Sequence, residues 1–292
     1  MTAVLGTDVD ELDGAPVWFC APGSELSGGF LAWRRLDVAL RCETWLTWSV
    51  SLWCPAVLKL PRPHQLQQPR AARALHREIA ALQGPPHPAL PRLYHDGTTA
   101  DIPHIAMEYV DGPALDEELA ADGPLSEPEV ALVGAQLLTG LIALHHKQIA
   151  HVDLTPSKII QRDMRPVLTG LGSARRIGMP AGPLGTPGYA APELEAGEPI
   201  SAGMDLYSLG AILHEALTGR PTFDPTYSAA KRPLPRSLPR SRLSDVIFAL
   251  LHPDPARRPY AHEALTAFAG ALPGDLRPWP AWADGAAPAA GV

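Results

Sequence analysis

Lysine is almost missing from this chain. Of its 24 basic residues only Lys59, Lys147, Lys158 and Lys231 are lysines, and no run of Lys or Arg occurs. With 31 acids the formal net charge is −7, so the electrostatic footprint of a nucleic-acid or anionic-membrane binder is absent. Cysteine is as sparse: Cys20, Cys42 and Cys54 are odd in number and lack C-x-x-C spacing. That excludes a disulfide framework and a zinc site and favours a reducing compartment, the cytoplasm. A long apolar run is missing too. Val130 to Leu144 is broken by Gln136 and Thr139 and falls short of the ~20 residues a bilayer requires. Residues 1–14 carry acids where an export signal would carry bases and an apolar core, so no such signal is expected. The 33 prolines and 25 glycines follow no repeat period.

What the chain does have is enough apolar material, 46% of 292 residues, for one large domain or two lobes. Residues 1–28, rich in Gly, Asp and Pro, are expected to be a loose lead-in. From Phe30 to Leu60 apolar and polar residues alternate, as in Trp45-Leu46-Thr47-Trp48-Ser49-Val50, the period of half-buried strands. Ala56-Val57-Leu58-Lys59-Leu60 places a lysine in mid-strand, where burial is costly without a partner. That partner is supplied by the next helix, Ala71 to Gln83, on which Glu78 borders the apolar face of Leu75, Ile79 and Leu82; an edge lysine facing water is the alternative. Strands at Leu90–Tyr94 and Ile102–Tyr109 complete a unit of five strands and one helix. Beyond Val110 the pattern is helical: Leu115–Ala121, a long apolar helix opened by the capping box Ser126-Glu127-Pro128-Glu129, then Ala202–Thr218, stopped by Gly219. Arg242–Leu251 and Ala261–Leu272 follow. Residues 221–239 are too proline-rich for a long helix, and 273–292 form a Pro/Ala-rich tail expected to fray.

Six segments in order resemble the protein kinase superfamily, specifically bacterial Ser/Thr kinases of the eukaryotic type. They are Ala56-Val57-Leu58-Lys59, Glu78, His151-Val152-Asp153, Gly185-Thr186-Pro187 through Ala191-Pro192-Glu193, Asp205-Leu206-Tyr207-Ser208-Leu209-Gly210, and Pro253-Asp254-Pro255-Ala256-Arg257-Arg258-Pro259. The resemblance implies an α+β, two-lobed kinase-like fold at 29–272. Its small antiparallel lobe with one large helix would be 29–110, and its larger, mainly helical lobe 111–272. It also implies that Arg258 pairs with Glu193. ATP would be held by Lys59, Glu78, Val57, Met107, Glu108 and Val110, and Asp153 would be the catalytic base.

Against that family pattern the chain departs at every element that holds metal-bound nucleotide. After Leu36 it reads Asp37-Val38-Ala39-Leu40-Arg41-Cys42-Glu43 where three glycines belong, so backbone amides cannot approach a phosphate closely. Lys158 stands five residues after Asp153, at the metal-binding Asn position, and Gly170 replaces the metal-binding Asp. An ammonium cannot ligate magnesium. Thr155 and Val152 replace a phosphate-contacting Lys and an Arg that reads activation-segment phosphorylation, and Val57 crowds the adenine. The expected function is therefore a pseudokinase, a regulatory or scaffolding module partnered with another protein, a kinase or signalling component, with ATP at most weakly held and no magnesium. A residually active Ser/Thr kinase is the alternative, with Asp153 orienting a hydroxyl and Lys158 supplying the positive charge; a small-molecule phosphotransferase is a third class. Asp153 could instead anchor its own loop, Lys59 and Glu78 could be a purely structural pair, Thr186 could accept phosphate or simply build its segment, and His145 and His146 fit stabilisation of a helix end.

Overall fold

The computed structural model describes residues 11–12, 14–163, 165–223 and 238–273. The chain divides into two compact units, Met1–Val110 and Asp111–Val292. The Pro/Ala-rich tail beyond 273 and residues 224–237 of the proline-dense connection lie outside the described residues.

The first unit holds β1 (Glu11–Leu12), β2 (Ala15–Pro16), β3 (Glu25–Ser27), β4 (Phe30–Val38), β5 (Cys42–Ser49), β6 (Cys54–Pro61), α1 (Pro69–Leu82), β7 (Leu93–Gly97) and β8 (His104–Glu108). β3 to β8 make one antiparallel sheet in the order β3-β4-β5-β6-β8-β7, with β1 and β2 a separate ladder. The alternation seen in the sequence sets its two faces. Ala56, Leu58 and Leu60 of β6 point to one side and form a core with Phe30, Ala32, Trp45 and Ala106. Val57 and Lys59 point to the other, opposite Leu46 and Thr44 of β5, the side on which α1 lies. Strand β7 begins three residues later than expected, because Pro91 has no N–H to donate to a ladder.

The expected lead-in is corrected over residues 15–27. Trp18 and Leu26 belong to the core cluster, and β3 adds a sixth strand to the five expected. The segment is fastened by polar groups as well. Trp18 Nε1 donates to the Pro61 carbonyl at 2.7 Å, and Arg62 Nη2 donates to the Ala15 carbonyl at 2.7 Å. Glu43, wholly buried, accepts from Trp18 N at 2.8 Å and from Trp45 Nε1 at 3.1 Å, and pairs with Arg35 at 3.0 Å. The Arg35 guanidinium in turn stacks 4.8 Å from the centre of the Trp45 ring and donates to the Trp18 carbonyl. Two indoles thus cover a sheet face with every polar atom of their own rings hydrogen-bonded, which makes the burial affordable.

The second unit contains α2 (Leu115–Asp122), α3 (Glu127–His146), β9 (Ile149–Ala150), β10 (Ile159–Arg162), β11 (Arg165–Leu168), β12 (Arg175–Arg176), α4 (Pro192–Glu195), α5 (Ala202–Thr218), α6 (Arg242–Leu250) and α7 (Ala261–Ala271). Its core is α3 against α5 and α7, with α5 and α7 each against α6. Helix α3 has the length and apolarity to cross a bilayer by those two measures. Most of it, Val130 to Leu144, is instead packed against protein, as befits a central core helix. Gly219 closes α5 with φ of 67°, the left-handed cap that glycine adopts without steric cost.

If residues 15–27 are part of the core, Trp18→Ala should cost about 3–5 kcal/mol, read as a lower urea midpoint. A loss within ~0.5 kcal/mol, the range for exposed loops, would return the segment to the status of a lead-in.

Candidate functional site

The residues singled out by the sequence fall into two sets, one in each unit. In the first, β6 presents Lys59 and the middle of α1 presents Glu78, and their side chains meet at 2.7 Å with little exposure. Burial pulls the Lys59 ammonium down, but the Glu78 carboxylate more than offsets it, so its pKa rests above the ordinary lysine value. The pair ties α1 to the sheet. Val57 is half-buried beside Lys59 on the same strand. Met107 and Glu108 end β8, Met107 and the nearby Val110 are buried, and Glu108 Oε2 accepts from Arg92 N at 3.2 Å. At the position of the glycine loop stands a tight turn, Ala39–Arg41, in which Ala39 N already donates to the Cys42 carbonyl at 3.0 Å.

In the second set, a loop from His151 to Thr155 leaves β9, passes Pro156 and reaches Lys158 through one 3-10 turn. The loop is organised by Asp205, wholly buried on α5. Its Oδ2 accepts from His151 N and its Oδ1 from Val152 N, each at 2.8 Å. His145 Nε2 meets Oδ2 at 2.8 Å. His145 stands in the last turn of α3, as expected, and that turn also aims its ring at Asp205. Burial pushes the Asp205 carboxyl up, but the hydrogen bond and charge of His145, the charge of His151 and the Val152 amide overcome it and leave its pKa below the usual range. Val152 is held at φ of 58°, a left-handed conformation unfavourable for a β-branched residue. His151 Nε2 donates to the Thr169 carbonyl at 2.9 Å, and burial holds its pKa below the ordinary histidine value.

Asp153 has a partner on each carboxylate oxygen. Thr186 Oγ1 donates to Oδ1 at 2.7 Å, and the Lys158 ammonium is paired with Oδ2 and also donates to the Asp153 carbonyl at 2.8 Å. The stem of Lys158 runs over Gly170: a Cβ there would lie 3.0 Å from Lys158 Cδ and 3.2 Å from Cγ. Gly170 also has φ of 76°, which favours glycine on its own account. Magnesium takes near-octahedral oxygen ligation at about 2.0–2.1 Å. The two positions that would supply it offer an ammonium and a glycine, and the ammonium sits on the one carboxylate left. These residues do not fit a magnesium ion. No group of three His, Cys, Asp or Glu set to hold a metal occurs among the described residues.

The end of the segment is braced separately. Arg258 clasps Glu193 with two nitrogens, at 2.5 and 2.8 Å, and its guanidinium lies 5.0 Å from the Tyr207 ring centre. This is the pairing expected from the sequence. Tyr189 OH donates to Glu215 at 2.6 Å, and burial raises the Glu215 carboxyl. Sequence reasoning missed three of these contacts: Thr186 on Asp153, Lys158 on Asp153 and His145 on Asp205. The last had a signal, an acid among the apolar residues at the start of α5, which implies buried donors.

A curled antiparallel sheet with one paired helix, followed by a helical unit whose central helix anchors an H-x-D loop, defines a two-lobed α+β kinase fold. The protein kinase domain family matches residues 56–268, and the chain belongs to that family, as a eukaryotic-type bacterial kinase-like domain. It is 32% identical over 272 residues to the serine/threonine-protein kinase pkn2 of Myxococcus xanthus, covering 84% of this chain and 33% of that protein. It is 34% identical over 156 residues to the serine/threonine-protein kinase PkaA of Streptomyces coelicolor, covering 50% and 29%. With the serine/threonine-protein kinase PrkC of Bacillus subtilis it shares 29% over 208 residues, covering 69% and 32%. The chain spans about a third of the length of these relatives.

Removing Asp205 strands two backbone N–H groups and a buried imidazole, so Asp205→Ala should cost about 3–5 kcal/mol in urea unfolding. Titration gives a second expectation. His151 binds protons less readily folded than unfolded, so its contribution is complete above 6.5 and declines as pH falls below it. Glu43 and Glu215, raised by burial, work in the opposite sense at lower pH. The decline in urea midpoint from about pH 7.5 to 5.5 should therefore be shallower in His151→Gln than in the parent; an identical slope would remove His151 from the account.

Proposed function

We propose that this chain is a pseudokinase module, a kinase-fold domain that regulates or scaffolds another protein and makes weak or no metal-dependent use of ATP. One observation carries the reading: the Lys158 ammonium rests on Asp153 while its stem fills the space over Gly170. A cation supplied by the chain thus stands against the carboxylate where a divalent ion would be drawn, and a side chain at 170 would press on the stem that delivers it. The tight turn at Ala39–Arg41, with an amide already committed, supports weak triphosphate binding. The partner is a protein of signalling type, and the three free cysteines suit a cytoplasmic setting.

A second reading, a residually active Ser/Thr kinase, is favoured by the 2.7 Å Lys59–Glu78 pair. In that case Asp153 would orient the acceptor hydroxyl and Lys158 would neutralise developing charge.

Labelled ATP, a generic protein substrate and magnesium or manganese should give no incorporation above that of Asp153→Asn. Incorporation clearly above this control would establish the kinase reading instead. Installing the missing ligands together, as Lys158→Asn with Gly170→Asp, should create a magnesium-dependent thermal shift with ATP that the parent lacks. Asp is among the residues that tolerate a positive φ, so the double variant is expected to fold.

A further inference from the structure

Helix α1 carries Arg70, Arg73 and Arg77 and a single carboxylate, Glu78, which is committed to Lys59. The arginines stand at i, i+3 and i+7, on one side of the helix, while Ala71, Leu75, Glu78, Ile79 and Leu82 face the interior. Arg70 and Arg73 are exposed and Arg77 is half-exposed. A fourth guanidinium comes from the turn between β4 and β5: the Arg41 carbonyl accepts from Arg62 N at 2.9 Å, at the start of the connection into α1. Burial, then the charges of Arg73 and Arg41, hold the Arg77 pKa below its ordinary value, so these groups feel one another. No ion pair to any of the four occurs among the described residues.

Such a cluster works against the helix that carries it. Arg70 lies in the first turn, where the macrodipole favours acids, no acid shares that turn and Gln68 provides no side-chain cap. The like charges add repulsion. In a chain of net charge −7 they also stand apart from the general surface field. That global field disfavours nucleic acid and anionic membrane, whose charge extends far beyond the patch, but a short acidic segment meets only the local potential within about 10 Å. Arg70 to Arg77 spans roughly 10 Å along the axis, the length of about three or four residues of extended peptide. Leu40, 72% exposed, adjoins Arg41 and offers an apolar contact at the margin.

We infer that the arginine face of α1, with Arg41, is the docking surface for an Asp/Glu-rich segment of the partner protein. This deepens the pseudokinase reading and rests on it for the existence of a partner, but its test is independent of phosphotransfer. A fluorescein-labelled peptide of about eight glutamates, matched to the patch plus flanks, is titrated with the full chain and followed by anisotropy. Salt-sensitive binding is expected, weakened at least about tenfold in Arg73→Glu with Arg77→Glu, and unchanged within about twofold in Arg220→Glu, a surface arginine of the other unit. The double variant should melt at or above the parent, since it removes the repulsion along the arginine face. No peptide binding, equal binding by the double variant, or equally tight binding of single-stranded DNA or phosphatidylserine vesicles would overturn the inference. If the peptide binds as expected while phosphate incorporation is found in the assay above, the docking surface stands and only the pseudokinase reading falls.

Discussion

Asp205 is a wholly buried carboxylate on a core helix, and the geometry of the whole second-unit site depends on how its charge is accommodated. Desolvation alone would neutralise it. Two backbone amides and the His145 ring instead keep it ionised, and in doing so they dictate the path of the chain from His151 onward. Val152 is forced into a left-handed conformation because both its own amide and the preceding one must reach the same carboxylate. The loop that follows therefore arrives at Asp153 already oriented. Because α5 is packed by α3 and α6, this anchor is as rigid as the core.

That division between brace and site is physical. Glu193 with Arg258 and Asp205 with its donors are buried charges, and losing one partner strands the other at a cost of several kcal/mol. Lys158 and Gly170 carry no such penalty, because together they form a self-consistent arrangement. The lysine stem occupies the space that the glycine leaves, and the ammonium finds a carboxylate five residues back. Two positions that look separate along the chain are one steric unit, since a side chain at 170 would press on the stem of Lys158.

In the first unit the comparable constraint is Glu43, buried on the face of the sheet that residues 15–27 cover. It draws in Arg35 and the amide of Trp18, and so fixes a strap over a surface that would otherwise expose Trp45 and Phe30. Periodicity gives no warning of this, since residues 1–28 have the Gly and Pro content of a loop. The single legible trace was an acid, Glu43, inside an alternating apolar strand. On the opposite face the Lys59–Glu78 pair was legible, because a lone lysine in mid-strand and a glutamate at the margin of an apolar helix face each require a partner.

The class of fold was already written in the amino-acid sequence, through the order of six motifs and the switch from period-two to period-3.6 apolar patterning near Val110, as was the presence of a lysine at 158 and a glycine at 170. These are local properties: strand alternation, caps and spacing are set by neighbours within one or two turns. Only the tertiary structure decided that the lead-in closes a core, that His145 serves Asp205 some 60 positions away along the chain, and that Lys158 lies on Asp153 with Thr186 across from it. Each of those depends on where a flexible side chain finds an opposite charge or a free donor, and that is settled by packing between segments distant in sequence.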